Sequence, residues 1–140
     1  MLKVINSSFA ISSRVCLSSA ASTVNKGARL YSTSKVTTQD FEELVLKSKS
    51  PVVLDVYADW CPPCRALEPV LKKAVEGRNG NVKLYKLNFD DSPEIAERYN
   101  VMSIPHVFAF SNGEVVDQFV GALQAPAINK FLDKLESTHK

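Results

Sequence analysis

The sequence predicts a three-layer α/β/α domain in which a central mixed β-sheet lies between helices. Patterns typical of helix and strand alternate in the order α, β, α, β, α, β, β, α, with a possible short strand near Val36. The run Val52–Tyr57 is almost entirely apolar, as in a strand covered on both faces. Asn112-Gly113 separates the last two strands and is a strong hairpin signal, so the sheet contains antiparallel as well as parallel neighbours.

The first predicted α-helix has its apolar residues on one face, namely Phe41, Leu44 and Val45. Thr37 and Thr38 are candidate caps for this helix, and it is expected to end before Pro51. The strand that follows contains one residue that does not fit an apolar environment, Asp55. A carboxylate in such a strand is a candidate functional group.

The second predicted helix begins within Trp60-Cys61-Pro62-Pro63-Cys64 and has apolar residues at helical spacing, namely Leu67, Val70, Leu71, Ala74 and Val75. Prolines are tolerated in a first helical turn because its N–H groups have no partners inside the helix. This helix therefore starts at the cysteine pair.

The remaining elements follow from alternation, caps and turns. Residues 82–88 alternate enough to predict a strand, and Ser92-Pro93-Glu94 has the cap, proline and acid that begin a helix. Residues 107–110 and Glu114–Val120 form the predicted hairpin, and residues 124–135 a terminal amphipathic helix.

The charges are unevenly distributed along the 140 residues. The chain has 17 basic and 15 acidic residues, and residues 1–31 contain four of the basic residues and no acid. The remainder therefore has 13 basic and 15 acidic residues, with no basic face for phosphates, so we expect no nucleic-acid partner. No apolar run approaches the roughly 20 residues of a membrane span, so we expect no membrane association.

The amino-terminal segment has the composition of an organelle transit peptide. Residues 1–34 contain nine serines, and no acid precedes Asp40. Arg29-Leu30-Tyr31-Ser32 is similar to a mitochondrial processing site. We therefore predict a cleaved mitochondrial transit peptide at residues 1–31 and one domain at residues 32–140. A Ser-rich tail without a targeting role is the alternative, whereas a secretory signal is disfavoured because Arg14 interrupts the apolar region.

Cleavage would remove Cys16 and leave Cys61 and Cys64, which are three residues apart. A thiolate attacks disulfides, and a helix start favours the thiolate through unpaired N–H groups. One helical turn also brings two cysteines within disulfide distance, so one can attack and the other resolve. The alternatives are two core cysteines without chemistry and a zinc site. Zinc needs four ligands, and only His106 and His139 remain at unsuitable spacings, so we expect no metal.

Several separated residues together resemble the thioredoxin family over about residues 35–138: Asp55, Trp60, Cys61, Pro63, Cys64, Pro69, Ile104-Pro105 and Gly121. With the amino-terminal segment, the chain is similar to mitochondrial members. The resemblance implies the thioredoxin fold and protein-disulfide reductase activity through Cys61 and Cys64.

The resemblance implies that Cys61 is the exposed nucleophile and Cys64 the buried resolving thiol, joined as a redox disulfide. It gives Asp55 the role of moving a proton to or from Cys64. Physical reasoning agrees, because burial in an apolar strand raises a carboxyl pKa towards neutrality. A solvated acid at a strand edge is the alternative. Lys86 matches a lysine near the buried acid, or is a solvated strand lysine.

The resemblance also implies a substrate-binding surface that comprises Trp60, Pro63, Ile104, Pro105 and Gly121. Pro105 would be a cis-proline that faces the cysteines, with an ordinary trans proline as the alternative. Trp60 would shield the site and form part of the docking surface, unless it packs in the core. Gly121 would allow a substrate backbone to approach, although a turn glycine explains it nearly as well.

Two residues depart from the family pattern. Pro62 replaces a usual glycine, which removes an N–H and stiffens the loop. His106 replaces a usual threonine after the proline; it would either titrate near the cysteines or be a surface histidine without effect. Oxidising relatives have histidine where this chain has Pro63, so we expect a reductant with a potential roughly near −270 mV.

The resemblance implies an NADPH-dependent thioredoxin reductase upstream, and peroxiredoxins and other disulfide-containing proteins downstream. We expect a monomer in the mitochondrial matrix. We also expect no bound cofactor, since no glycine-rich nucleotide fingerprint is present. Two other classes remain open. One is a membrane-system thiol protein for haem or metal assembly, and the other is a non-catalytic docking or chaperone domain.

Overall fold

Residues 33–139 are described by the structure, a computed structural model. In chain order its elements are β1 (Ser34–Val36), a π-helix (Glu42–Leu46), β2 (Val52–Tyr57), α1 (Pro62–Glu76), β3 (Lys83–Asn88), α2 (Pro93–Arg98), β4 (His106–Ser111), β5 (Glu114–Val120) and α3 (Ala125–Thr138). The predicted transit peptide lies outside the described residues. Within residues 33–139 no helix has the length and apolar character needed to cross a membrane.

The five described strands form one mixed sheet in the order β1-β3-β2-β4-β5. β1 and β2 are parallel to β3, whereas β4 is antiparallel to β2 and β5 is antiparallel to β4. Within this register Asp55 lies opposite Lys86 on β3 and Val107 on β4. The predicted three-layer fold with a mixed sheet is confirmed.

The turn between β4 and β5 depends on backbone torsions that favour its two residues. Asn112 and Gly113 have φ values of 52° and 83°, in the left-handed region that asparagine and glycine tolerate best. A Cβ on Gly113 would lie 2.7 Å from the carbonyl oxygen of Leu46. Only glycine fits this turn without a shift of the neighbouring backbone.

Each face of the sheet carries its own apolar core. The face covered by the π-helix and α2 includes Leu54 and Val56, and the face covered by α1 and α3 includes Val53 and Val107. Successive strand residues point to opposite faces, which places Asp55 on the Val53 face, towards α1. The carboxylate therefore lies in the interior of the molecule, behind the start of α1.

The first predicted helix is present and ends before Pro51, but its type is a π-helix and not the predicted α-helix. The structure has a five-residue π-helix, Glu42–Leu46, in which the Lys47 N–H donates to the Glu42 carbonyl at 2.9 Å. Phe41 and Val45 are nevertheless buried as predicted. The apolar spacing of this short segment fixes which side faces the core, and either helix type satisfies it.

Candidate active site at the start of α1

Cys61 and Cys64 are joined by a disulfide at the start of α1, with their Cα atoms 5.4 Å apart. Cys61 is the N-cap residue, and the Cys64 N–H donates to the Cys61 sulfur at 3.3 Å. Pro62 and Pro63 between them have no N–H. Cys64 is therefore the first residue of α1 that can offer a backbone donor to the Cys61 sulfur.

The two cysteines do not differ in exposure. Both are 3% exposed in the disulfide form, packed against Tyr57, Ala58 and Ile104. The expectation of an exposed Cys61 is wrong for this form, because neighbouring apolar groups cover both residues. A partner protein can therefore reach the Cys61 sulfur only by contacting the surface next to it.

That surface includes Trp60, which is 64% exposed. Its indole Nε1 donates to the Asp90 carboxylate at 2.8 Å, so the ring is fixed although it is not buried. The core-packing alternative for Trp60 is therefore excluded. Trp60 also lines a hollow of about 260 Å³ with Ile104 and Met102, and Met102 is 89% exposed.

The Ile104-Pro105 peptide bond is cis, and the trans alternative is excluded. The Gly121 N–H donates to the Pro105 carbonyl at 2.8 Å, which links this bond to the end of β5. Gly121 has φ 88°, and no atom lies within 4 Å of the position that its Cβ would occupy. The backbone conformation is what requires glycine here, and the space beside it is open.

We call the group Trp60, Met102, Ile104, Pro105 and Gly121 the front surface. It combines exposed apolar side chains with backbone that follows a cis-proline. Met102 was not among the residues predicted from sequence. Its position two residues before the Ile104-Pro105 bond is the signal that would have identified it.

Asp55 is buried behind the cysteines and only 2% exposed. Burial raises the pKa of this carboxyl from 3.8 to about 7; the positive charge of Lys86 opposes the shift and the negative charge of Glu68 adds to it. Its Oδ1 has no hydrogen-bond partner among the described residues. The solvated-acid alternative is excluded, and Asp55 can exchange a proton near neutral pH.

Lys86 lies beside Asp55 in the sheet and is mostly buried. Its Nζ is 2.8 Å from a Glu68 carboxylate oxygen and 4.1 Å from the centre of the Tyr57 ring. The solvated alternative for Lys86 is therefore wrong. Lys86, Glu68 and Tyr57, together with Cys64, border a polar cleft of about 250 Å³ that we call the back cleft.

Glu68 was not singled out from the sequence, because a charged residue on a helix normally faces solvent. The helical period would have indicated it: Glu68 follows Cys64 by four residues and so lies on the same side of α1.

The two histidines lie at opposite ends of β4. His106 begins the strand and is only 6% exposed, with its Nε2 3.0 Å from Gln118 Oε1 and its ring stacked on Phe108. The surface alternative for His106 is therefore wrong. His139 lies beside the other end of β4, with its Nδ1 2.8 Å from the hydroxyl of Ser111. By strand geometry, Ser111 is roughly 16 Å from His106.

His139 is thus far from the cysteines, and the two histidines and two cysteines do not converge. Within residues 33–139, no three side chains among His, Cys, Asp and Glu are grouped to hold a metal ion.

Residues 32–134 match the model of the thioredoxin family. The chain is 41% identical over 107 residues to "Probable thioredoxin-2" of Caenorhabditis elegans, covering 76% of this chain and 72% of the relative. It is 42% identical over 100 residues to "Thioredoxin" of Rickettsia bellii, covering 71% and 95%. It is 43% identical over 96 residues to "Thioredoxin, mitochondrial" of Bos taurus, covering 69% of this chain and 58% of that longer protein.

Proposed function

From its membership of the thioredoxin family, we propose that this chain reduces disulfides in other proteins, with Cys61 as the attacking thiol and Cys64 as the resolving thiol. The family acts on disulfide substrates and is reduced by thioredoxin reductase. One observation carries the assignment of roles: Cys61 caps α1 and its sulfur accepts the Cys64 N–H at 3.3 Å. A thiolate at this position is stabilised by that donor and by the helix dipole.

The proposed cycle begins with the reduced pair. The Cys61 thiolate attacks one sulfur of a target disulfide, the other target sulfur leaves as a thiolate and takes a proton, and a mixed disulfide forms. Asp55 accepts the proton of the Cys64 thiol, and the Cys64 thiolate attacks the Cys61 sulfur. The target leaves as a dithiol, and the Cys61–Cys64 disulfide is restored.

Asp55 suits this step because burial raises its pKa to about 7. A group with such a pKa exists in both protonation states at neutral pH, which allows it to accept a proton in one half of the cycle and return it in the other.

The front surface is the proposed docking site for the target. Trp60 and the partly buried Ile104 offer apolar contact together with Pro63, which is exposed next to Cys64. The backbone beside Pro105 and Gly121 can pair with an extended segment of the target. The open space beside Gly121 supports this approach.

The proposed direction is reduction of targets. Pro63 stands where oxidising relatives have a histidine, so nothing at that position favours the reduced thiolate, and we expect a potential roughly near −270 mV. The proposed partners are an NADPH-dependent thioredoxin reductase, and peroxiredoxins and other disulfide-containing proteins.

Trapping of mixed disulfides tests this function. Cys64→Ser leaves Cys61 free to attack but removes the resolving thiol, so covalent adducts with target proteins should accumulate. Reduction with dithiothreitol should release the target proteins from these adducts. Mass spectrometry would locate the adduct at Cys61.

Cys61→Ser is the matched control and should form almost no adducts. Equal retention of partners by the Cys61→Ser, Cys64→Ser double variant would instead identify a non-catalytic docking domain. A folded Cys64→Ser protein that traps nothing would contradict disulfide exchange.

For localisation, the proposal is that residues 1–31 direct the chain to the mitochondrial matrix and are removed there. The basic, acid-free composition of this segment supports targeting, and the 43% identical relatives from cattle and mouse are named as mitochondrial. Import into isolated mitochondria should yield a protease-protected form that begins near Ser32, as read by amino-terminal sequencing. An uncleaved chain that stays outside would contradict the proposal.

A further inference from the structure

We infer that Glu68 is a positioning residue for proton transfer at Asp55: it holds the Lys86 ammonium in an ion pair and so keeps that charge from neutralising the buried carboxylate. The inference rests on the proposed role of Asp55.

The sheet register gives Lys86 two possible acidic partners. Lys86 lies directly opposite Asp55 on the neighbouring strand, and both side chains face α1. In the structure the ammonium is 2.8 Å from Glu68, whereas Oδ1 of Asp55 has no hydrogen-bond partner among the described residues. Lys86 therefore forms its ion pair with Glu68 on α1 and not with Asp55.

A second contact fixes the lysine in this position. Its Nζ lies 4.1 Å from the centre of the Tyr57 ring, close enough for a cation–π interaction. The Lys86 side chain is 12% exposed and that of Glu68 44% exposed, so the ion pair spans the back cleft from the interior to its solvent side.

The other charged groups that border the back cleft are Lys35, Asp59 and Arg65. The Arg65 guanidinium donates to the Asp59 carbonyl, and on the opposite side of Asp55 the neighbour in β4 is the apolar Val107. Beyond burial, Lys86 and Glu68 are the two charges that act on the pKa of Asp55, with opposite signs.

Glu68 thus acts on Asp55 twice and in one direction. Its own negative charge disfavours a second carboxylate nearby, and its ion pair holds the positive charge of Lys86 at a distance. Together with burial, these effects hold the pKa of Asp55 near neutral pH, where its carboxylate form is populated and can accept the proton of Cys64. A residue one helical turn after Cys64 would in this way set the pH at which Cys64 resolves.

The test is the titration of the Asp55 carboxyl by ¹³C NMR in the full oxidised protein. Glu68→Gln should lower the pKa of Asp55 by about half a unit to one unit, the size expected for a nearby charge that is partly screened. Glu76→Gln is the matched control, because Glu76 is exposed on the same helix roughly 12 Å further along, and it should leave the titration unchanged.

A double-mutant cycle with Lys86→Met then separates the two effects. Lys86→Met should raise the pKa of Asp55, and Glu68→Gln should shift it much less in that background than in the native one. An unchanged or raised pKa in Glu68→Gln, or an equal shift in both backgrounds, would overturn the inference. The titration reads Asp55 itself, so this result is independent of the trapping experiment on Cys61.

Discussion

The front surface and the back cleft border the same disulfide and differ in almost every physical property. At the front, Trp60 and Met102 are exposed and apolar, and the backbone turns through a cis-proline. At the back, Lys86 is held by an ion pair and lies beside the buried Asp55 in the sheet. The front presents apolar surface, and the back presents charged groups that run from the solvent side of the cleft at Glu68 to the buried Asp55.

This difference separates two tasks. Recognition of many unrelated targets is served by apolar contact and backbone pairing, neither of which requires particular side chains on the target. Proton transfer requires a group whose pKa lies near the working pH, and burial is what brings a carboxyl there. A change on one side should therefore leave the task of the other side unaffected.

The largest effect is expected from Asp55→Asn. The folded protein binds the Asp55 proton with a pKa of about 7 and the unfolded chain with about 3.8, so the acid costs stability as pH rises from 4 to 7. Asn removes that cost, and the oxidised variant should be more stable at pH 8 by up to about 4 kcal/mol, from 1.36 kcal/mol per pKa unit.

Urea unfolding at pH 4 and pH 8 measures this effect, which should nearly vanish at the lower pH. The same variant should resolve mixed disulfides more slowly at neutral pH. Asp91→Asn, at an exposed carboxylate, is the control and should change neither property. A stabilisation that is the same at both pH values would show that folding does not raise the pKa of Asp55.

A smaller effect is expected from Trp60→Ala at the front surface. Loss of the exposed ring should raise the KM for a protein disulfide substrate about tenfold, equivalent to about 1.4 kcal/mol of docking free energy, with little change in kcat. Steady-state kinetics with a protein substrate measures both constants. The NMR titration of Asp55 should be unaffected.

Val115→Ala is the matched control for Trp60→Ala, since Val115 is exposed and apolar but lies beside the hairpin turn at the far end of β5. A fall in kcat with an unchanged KM in Trp60→Ala would break the separation between the front surface and the back cleft.

Much of the fold could be predicted from the sequence because its signals are local. The buried strand around Asp55, the hairpin at Asn112-Gly113 and the helix start at Cys61 depend on neighbours within a few residues. Asp55 was identified for the same reason, since one carboxylate in an apolar strand is conspicuous. The cis form of the Pro105 bond was expected only from the family resemblance, because local sequence favours trans.

The contacts that could not be predicted join residues far apart in the chain. The spacing of Glu68 from Cys64 indicates its side of α1, but not that it pairs with Lys86 on a distant strand. His106 is similar: its burial and its bond to Gln118 depend on how β4 pairs with β5. The register of the strands and the packing of α1 on the sheet bring each of these pairs together.

Pro62 and Pro63 have a thermodynamic consequence for the redox cycle. Opening a disulfide ordinarily releases the chain between its cysteines, and that gain of conformational entropy favours the reduced form. Here two pyrrolidine rings fix two of the φ torsions in the short link between the sulfurs, whether or not they are bonded. The dithiol therefore gains little freedom, so the entropy cost of closing the ring is small as the chain hands two electrons to its target.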